Sequence, residues 1–282
     1  MTVKTLIVSD LDGTLMRDDG QVSEYSKSVI RRLLAEGHLF TVASARSLVS
    51  IRRIFSDLDI QLPVVSYNGA VITHLKSSDY ESVSALDVSV FRELIRIIDD
   101  MGLEPFVSTY SRGAEHRYFR KIRNEGMNYV MHDLVENRDR RLVQVEDFAQ
   151  AMQEPLLEVN VIGTAVEAEA FYNRLQREIG QRVGYVRFES RYQPGSHWVS
   201  LASPMVSKAF GCEKLVLELG LKAENLLVFG DEDNDKKMFE YAGHAVATAN
   251  AILPVKALAS EVIGHCNEDA VARYLAKRFL GE

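Results

Sequence analysis

Short runs of residues that are apolar at almost every position leave a strand no polar face to turn toward water. Leu6-Ile7-Val8, Leu39-Phe40-Thr41-Val42-Ala43, Val64-Val65-Ser66 and Leu226-Leu227-Val228-Phe229 are runs of this kind. Each reads as a strand covered on both sides, and helix-like segments alternate with them. Residues 24–36 carry Val29, Ile30, Leu33 and Leu34 on one stripe, with Gly37 placed to stop the helix. Fully apolar strands alternating with helices predict a doubly wound α/β fold, a parallel sheet with helices on both faces. Ligands of such sheets bind outside the carboxyl ends of the strands. With strands predicted at 6–10, 39–43, 64–66 and 226–229, that edge receives Asp10, Ser44 and Asp231.

The middle of the chain has a different texture. A helix is predicted over 87–101, with Val90, Leu94, Ile97, Ile98 and Met101 at helical spacing, and another over 165–179. Strands are predicted over 104–110, 156–162 and 183–188. Glu158-Val159-Asn160-Val161 alternates polar and apolar residues, the pattern of an antiparallel sheet with one wet face. These features predict an α+β domain at 81–188, inserted between two halves of the first domain at 1–80 and 189–282. His197 and Trp198 then precede a strand of the first domain, with Trp198 packing.

Composition removes several function classes. A net charge of −7 argues against a mainly nucleic-acid-binding protein. The amino terminus lacks a long apolar stretch and no segment approaches a membrane span, so a cytoplasmic protein with no membrane partner is expected. The two cysteines, Cys212 and Cys266, form neither a CxxC motif nor a disulfide framework. No GxGxxG, GxxxxGK[ST] or GxSxG motif is present.

Four segments carry chemistry, each with a plainer reading beside it. Asp10 and Asp12, spaced i and i+2 where an apolar run meets Gly13, form either a solvated Asp-Gly turn or a divalent-metal site pairing a nucleophile with an acid/base. Ser44-Ala45-Arg46 brings a hydroxyl and backbone N–H groups to a strand-to-helix junction, as a helix cap or a phosphate cradle. Lys208 precedes a helix predicted over 209–219, as a solvated surface lysine or, since it opposes the helix dipole, as the partner of an anion. Gly230-Asp231-Glu232-Asp233-Asn234-Asp235 is an acidic loop, solvated or ligating Mg²⁺. The basic, aromatic stretch at 112–123 reads as a charged surface with Tyr118 and Phe119 packed inward, or else as an anion or nucleic-acid contact.

Taken in order, the four segments resemble the haloacid dehalogenase superfamily of phosphohydrolases, in its Cof-like branch with a large (IIB-type) cap. Asp10-Leu11-Asp12-Gly13-Thr14 is similar to the DxDGT motif, Ser44 stands at the second motif, Lys208 at the third, and Gly230-Asp231 with Asn234-Asp235 at GDxxND. Asn68-Gly69 and Ala247-Thr248-Ala249-Asn250-Ala251 extend the likeness. The chain departs from it by alanine in place of glycine at Ala45, Ala209 and Ala249.

The resemblance implies a Mg²⁺-dependent phosphatase of small phosphorylated metabolites, such as sugar phosphates or phosphorylated cofactor precursors. Asp10 is then the nucleophile that forms an aspartyl phosphate, and Asp12 the acid/base. Asp10, the Asp12 carbonyl, Asp231 and Asp235 would serve the metal. Ser44, Lys208 and Asn234, with N–H groups near Leu11 and Ala45, would bind phosphoryl oxygens. The inserted domain would choose the substrate, and the protein would be a monomer or homodimer. A phosphomutase or phosphotransferase on the same scaffold is the alternative, and a non-catalytic binding protein a third. The third would be expected to have lost one of Asp10, Asp12, Lys208 or Asp231, and all four are present.

Overall fold

The computed structural model of the chain describes residues 4–76, 82–111 and 114–282. Arg112, in the basic stretch, lies outside them. The chain divides into two compact units, residues 1–82 with 207–282 and residues 83–206.

The first unit is built on a five-stranded sheet in the order Glu261–Val262, His244–Ala247, Leu226–Gly230, Leu6–Ser9, Leu39–Val42. All pairs are parallel, and Ser9 is level with both Phe229 and Val42. The apolar runs are buried on both faces, as their composition predicts. Ile7, Phe40, Val42, Leu227 and Phe229 pack with Val29, Ile30 and Leu33 of the helix Glu24–Ala35 and Leu275 of Ala270–Phe279. Leu6, Val8 and Val228 face the other way, toward Cys212, Leu215 and Val216 of Lys208–Glu218. Serine caps begin several of these helices: Ser23 accepts from Ser26 N–H, Ser47 from Ser50 N–H and Ser207 from Phe210 N–H. A hairpin of Val64–Ser66 and Val71–Thr73 continues beyond Ala43, which bridges to Val65.

The second unit holds a six-stranded sheet in the order Gly184–Glu189, His197–Ala202, Leu156–Gly163, Pro105–Ser111, Ala114–Phe119, Leu142–Gln144. Its pairs are antiparallel except the last, which is parallel. One face is closed by the helices Val88–Asp100 and Ala165–Glu178, whose Phe91, Leu94, Ile97, Phe171 and Leu175 meet Val107, Val159, Val161, Val199 and Leu201.

Two expectations change here. The insertion runs to Val206 rather than 188, because His197–Ala202 pairs antiparallel with both Leu156–Gly163 and Gly184–Glu189 and so belongs to this sheet. Trp198 does pack, stacked on Phe188 at 5.6 Å between ring centres. The face holding Glu158 and Asn160 is not wet, since every residue of Leu156–Gly163 is buried. Its polar groups bond to one another instead: Asn160 Nδ2 donates to Glu158 Oε2 at 2.6 Å and Ser200 Oγ donates to Asn160 Oδ1. In the basic stretch, Tyr118 and Phe119 are buried as the plainer reading holds. Arg120 is paired with Glu104 at 2.9 Å and Asp99 at 2.5 Å. Among the described residues no helix is long and apolar enough to cross a membrane.

Candidate active site

The parallel register brings three strand ends level with one another. Asp10 leaves Leu6–Ser9 with its N–H bonded to the Phe229 carbonyl at 3.0 Å, and Asp231 follows Leu226–Gly230 directly. The chain then turns through Gly13, whose positive φ of 75° suits glycine in the left-handed region. The Gly13 carbonyl accepts from Asn250 Nδ2 at 2.7 Å and Thr248 Oγ1 at 3.2 Å. Asn250 also reaches Asp231 Oδ2 at 3.3 Å, and Thr14 Oγ1 donates to Asp231 Oδ1 at 3.1 Å. Asp235 is held from the same loop: its Oδ2 accepts the N–H groups of Asp231 at 2.9 Å and Glu232 at 3.0 Å.

Lys208, the first residue of its helix, lies on the destabilising side of the helix dipole. The reason is in its partners, since Nζ donates to Asp10 Oδ1 at 2.6 Å and Asp235 Oδ1 at 2.7 Å with only 1% of the side chain exposed. Close approach at Gly69 lets this helix start where it does: a Cβ there would lie 2.3 Å from the Ser207 carbonyl oxygen, and its φ is +106°.

Asp10, Asp231 and Asp235 are all buried, with one oxygen of each within 4.8 Å of the others. Three carboxylates against one ammonium leave an excess of two negative charges in a place without bulk water. Burial therefore pushes the Asp10 carboxyl well above its usual range, Lys208 opposes this, and Asp235 and Asp231 add to it. Burial works against the Lys208 ammonium, but Asp10 and Asp235 outweigh it and hold its pKa above the ordinary value. An all-oxygen, doubly negative cluster fits a hard divalent cation. The acidic-loop alternative of simple solvation does not hold for Asp231 or Asp235, which are 1% and 0% exposed.

Asp12 is placed apart from this cluster. Arg46 grips it with two bonds, Nε to Oδ2 at 2.8 Å and Nη2 to Oδ1 at 2.7 Å, while Nη1 donates to Ser50 Oγ at 3.1 Å. Ser44 is buried beside the strand end, where its Oγ accepts the Arg46 N–H at 3.1 Å. Leu11 is buried and Ala45 half-buried in the same two loops. Asn234 is directed elsewhere: Nδ2 donates to Asn68 Oδ1 at 2.9 Å, and Oδ1 is buried without a hydrogen-bond partner among the described residues. Two residues that the motifs did not assign thus shape the site. Arg46 orients Asp12, and Asn250 ties Asp231 to the Gly13 turn. A bidentate carboxylate partner is the one signal that an arginine at a strand end offers in advance.

The sequence pattern of the haloacid dehalogenase-like hydrolases matches residues 7–275. The chain belongs to that family. This hydrolase is similar over its whole length to curated proteins of Bacillus subtilis. It is 27% identical to 5-amino-6-(5-phospho-D-ribitylamino)uracil phosphatase YitU, over 97% of each chain. It is 26% identical to phosphatase YwpJ, over 96% of this chain and 98% of that one. Among solved structures, a haloacid dehalogenase-like hydrolase from Bacteroides thetaiotaomicron superposes with a TM-score of 0.82 at 24% identity, over 98% of the hydrolase and all of that chain. The subclass IIB sugar phosphatase BT4131 gives 0.79 at 19% identity, covering 98% and 99%. These likenesses share the fold of a Rossmann-like core with an inserted cap.

Proposed function

We propose that the chain is a Mg²⁺-dependent phosphatase that hydrolyses phosphomonoesters of small metabolites, sugar phosphates or phosphorylated cofactor precursors, through a phosphoaspartate on Asp10. It is an enzyme of the phosphoric monoester hydrolase class. The observation that carries the mechanism is the separation of two neighbouring acids. Asp10 lies in a buried cluster with Lys208, whereas Asp12 is held outside it by Arg46.

In this reading an Asp10 oxygen attacks phosphorus while the ester oxygen leaves, and Asp12 in its protonated form supplies the proton that oxygen needs. Water then attacks the phosphoaspartate, Asp12 takes its proton, and the Asp10 carboxylate is restored with release of phosphate. The two-point grip of Arg46 occupies both oxygens of Asp12. Donation in the first half requires that grip to loosen. Lys208, Ser44 and the N–H groups near Leu11 and Ala45 would hold the phosphoryl oxygens, with Asn234 beside them once it exchanges its bond to Asn68. Mg²⁺ held by Asp10, Asp231, Asp235 and the Asp12 carbonyl would neutralise charge on the transferring group.

Phosphate release from p-nitrophenyl phosphate tests the reading. Asp10→Asn is expected to lower kcat by on the order of 10⁴-fold or more while leaving Tm close to that of the parent. Parent-like turnover by that variant would overturn the assignment. Formation of an isomeric monophosphate without free phosphate would turn the reading to a mutase.

A further inference from the structure

A second group of ligating side chains lies in the first unit, away from the carboxylate cluster. Cys266 Sγ is 3.8 Å from Asp18 Oδ1 and 3.5 Å from His265 Nδ1, across 248 positions of sequence in the first case. One ligand atom from each of the three residues lies within 4.8 Å of the others. We propose that Asp18, His265 and Cys266 form a binding site for a thiophilic divalent cation of the zinc class.

The spacing is that of a metal site lacking only small adjustments. A tetrahedral ion bonded to sulfur at about 2.3 Å and to nitrogen or oxygen at about 2.0 Å sets those ligand atoms about 3.5 Å apart. The donor set of one sulfur, one imidazole nitrogen and one carboxylate oxygen selects zinc-like ions over Mg²⁺. The Asp10, Asp231 and Asp235 cluster, all hard oxygens, has the opposite preference. Cys266 is buried, His265 half-buried and Asp18 exposed, so an ion would enter past Asp18 and keep water in its fourth position.

Existing hydrogen bonds are compatible with the site. Asp18 turns Oδ1 toward the sulfur and uses Oδ2 to accept from Asn267 Nδ2 at 2.7 Å, a bond that orients the carboxylate for the ion. The Asp18 N–H in turn donates to Asn267 Oδ1 at 2.9 Å, which fixes the loop against this turn. His265 Nδ1 accepts the Asn267 N–H at 3.2 Å and lies 3.5 Å from Cys266 Sγ, and both contacts give way to the metal. On binding, the Cys266 S–H bond breaks, its proton passes to solvent, and the sulfur pair forms the S–metal bond, so one proton is released per ion.

Titration with Co²⁺ in excess Mg²⁺ tests the site, because only a thiolate ligand gives Co²⁺ an intense near-ultraviolet charge-transfer band. The expected result is such a band, saturating at one Co²⁺ per chain and displaced by Zn²⁺. Cys266→Ser should abolish it, His265→Ala should weaken Co²⁺ affinity by about tenfold or more, and Cys212→Ser should leave it unchanged. Asp10→Asn should also keep the band, which separates this site from the hydrolytic reading. No band in the parent protein, a band that survives Cys266→Ser, or one that is lost in Cys212→Ser would overturn the proposal. If Cys266→Ser fails to fold, unchanged affinity in His265→Ala overturns it.

Discussion

Both units bury acidic groups, but they balance them differently. In the second unit, Arg141 is 8% exposed and pairs with Asp139 at 2.6 Å and Glu115 at 3.4 Å. Burial would raise the Asp139 carboxyl, yet Arg141 outweighs it and holds that pKa below the usual range. Glu154 is satisfied by Thr109, His116 and Tyr118, with the tyrosine at 3.1 Å. Burial first, and then Glu154, push that phenol up to about 12. There Asp139 and Glu115 share Arg141, and Glu154 has donors of its own. In the first unit, three carboxylates lie together beside one ammonium, which bonds Asp10 and Asp235, and Asp10 is pushed up rather than down. An unbalanced buried cluster costs stability, which makes the strand ends a candidate ligand site.

That contrast breaks most sharply at the two buried cations. Lys208→Ala should strand Asp10 and Asp235, costing about 3–5 kcal/mol of stability and lowering kcat by about 10²–10³-fold. Arg141→Ala should lower Tm by a comparable amount, for the same reason, while kcat for p-nitrophenyl phosphate stays at the parent value. If the two variants lose activity alike, the units do not differ as described. Thermal melts and steady-state rates on the pair decide it.

Arg46→Ala is a smaller cut. Asp12 would lose its orientation, with a fall in kcat on the order of 10- to 100-fold. KM and Tm should hardly move, because the pair is partly exposed, at 22% and 32%. An unchanged kcat would show that Asp12 needs no positioning from this side.

Glu158→Gln should have the smallest effect and the opposite sign. Burial raises the Glu158 carboxyl, with Asn160 and Arg117 opposing it. A carboxyl raised in the fold binds more protons there than in the unfolded chain. Its contribution is therefore favourable below the unfolded value and fades as pH rises through the folded one. The amide removes that dependence, so its Tm should exceed the parent's at neutral pH and match it below about pH 4. A lower Tm at neutral pH would mean that Glu158 is charged and satisfied.

Much of the first unit was legible in advance, because strands covered on both faces need apolar residues at successive positions, and Leu6–Ser9 and Leu226–Gly230 show this directly. Asp10 and Asp231 could then be placed by their position after those strands. The second unit was less legible. His197–Ala202 has the same apolar character as the first unit's strands, and only its pairing shows which sheet it joins. Glu158 and Asn160 alternate as a wet face does, but mutual hydrogen bonds let them be buried.

Residue order alone settled the class of fold, the family and which side chains lie at the sheet's carboxyl edge, since local apolar pattern and turn residues decide these. Only the folded chain decided how the acids divide. Asp10 and Asp12 are two positions apart, yet one meets Lys208, 198 positions on, and the other meets Arg46, 34 positions on. Strand register and the turn at Gly13 set those directions, and neither is written in the spacing of two aspartates. The partners of a charge are chosen by distance in space, where a few ångströms separate a buried ion pair from a solvated one.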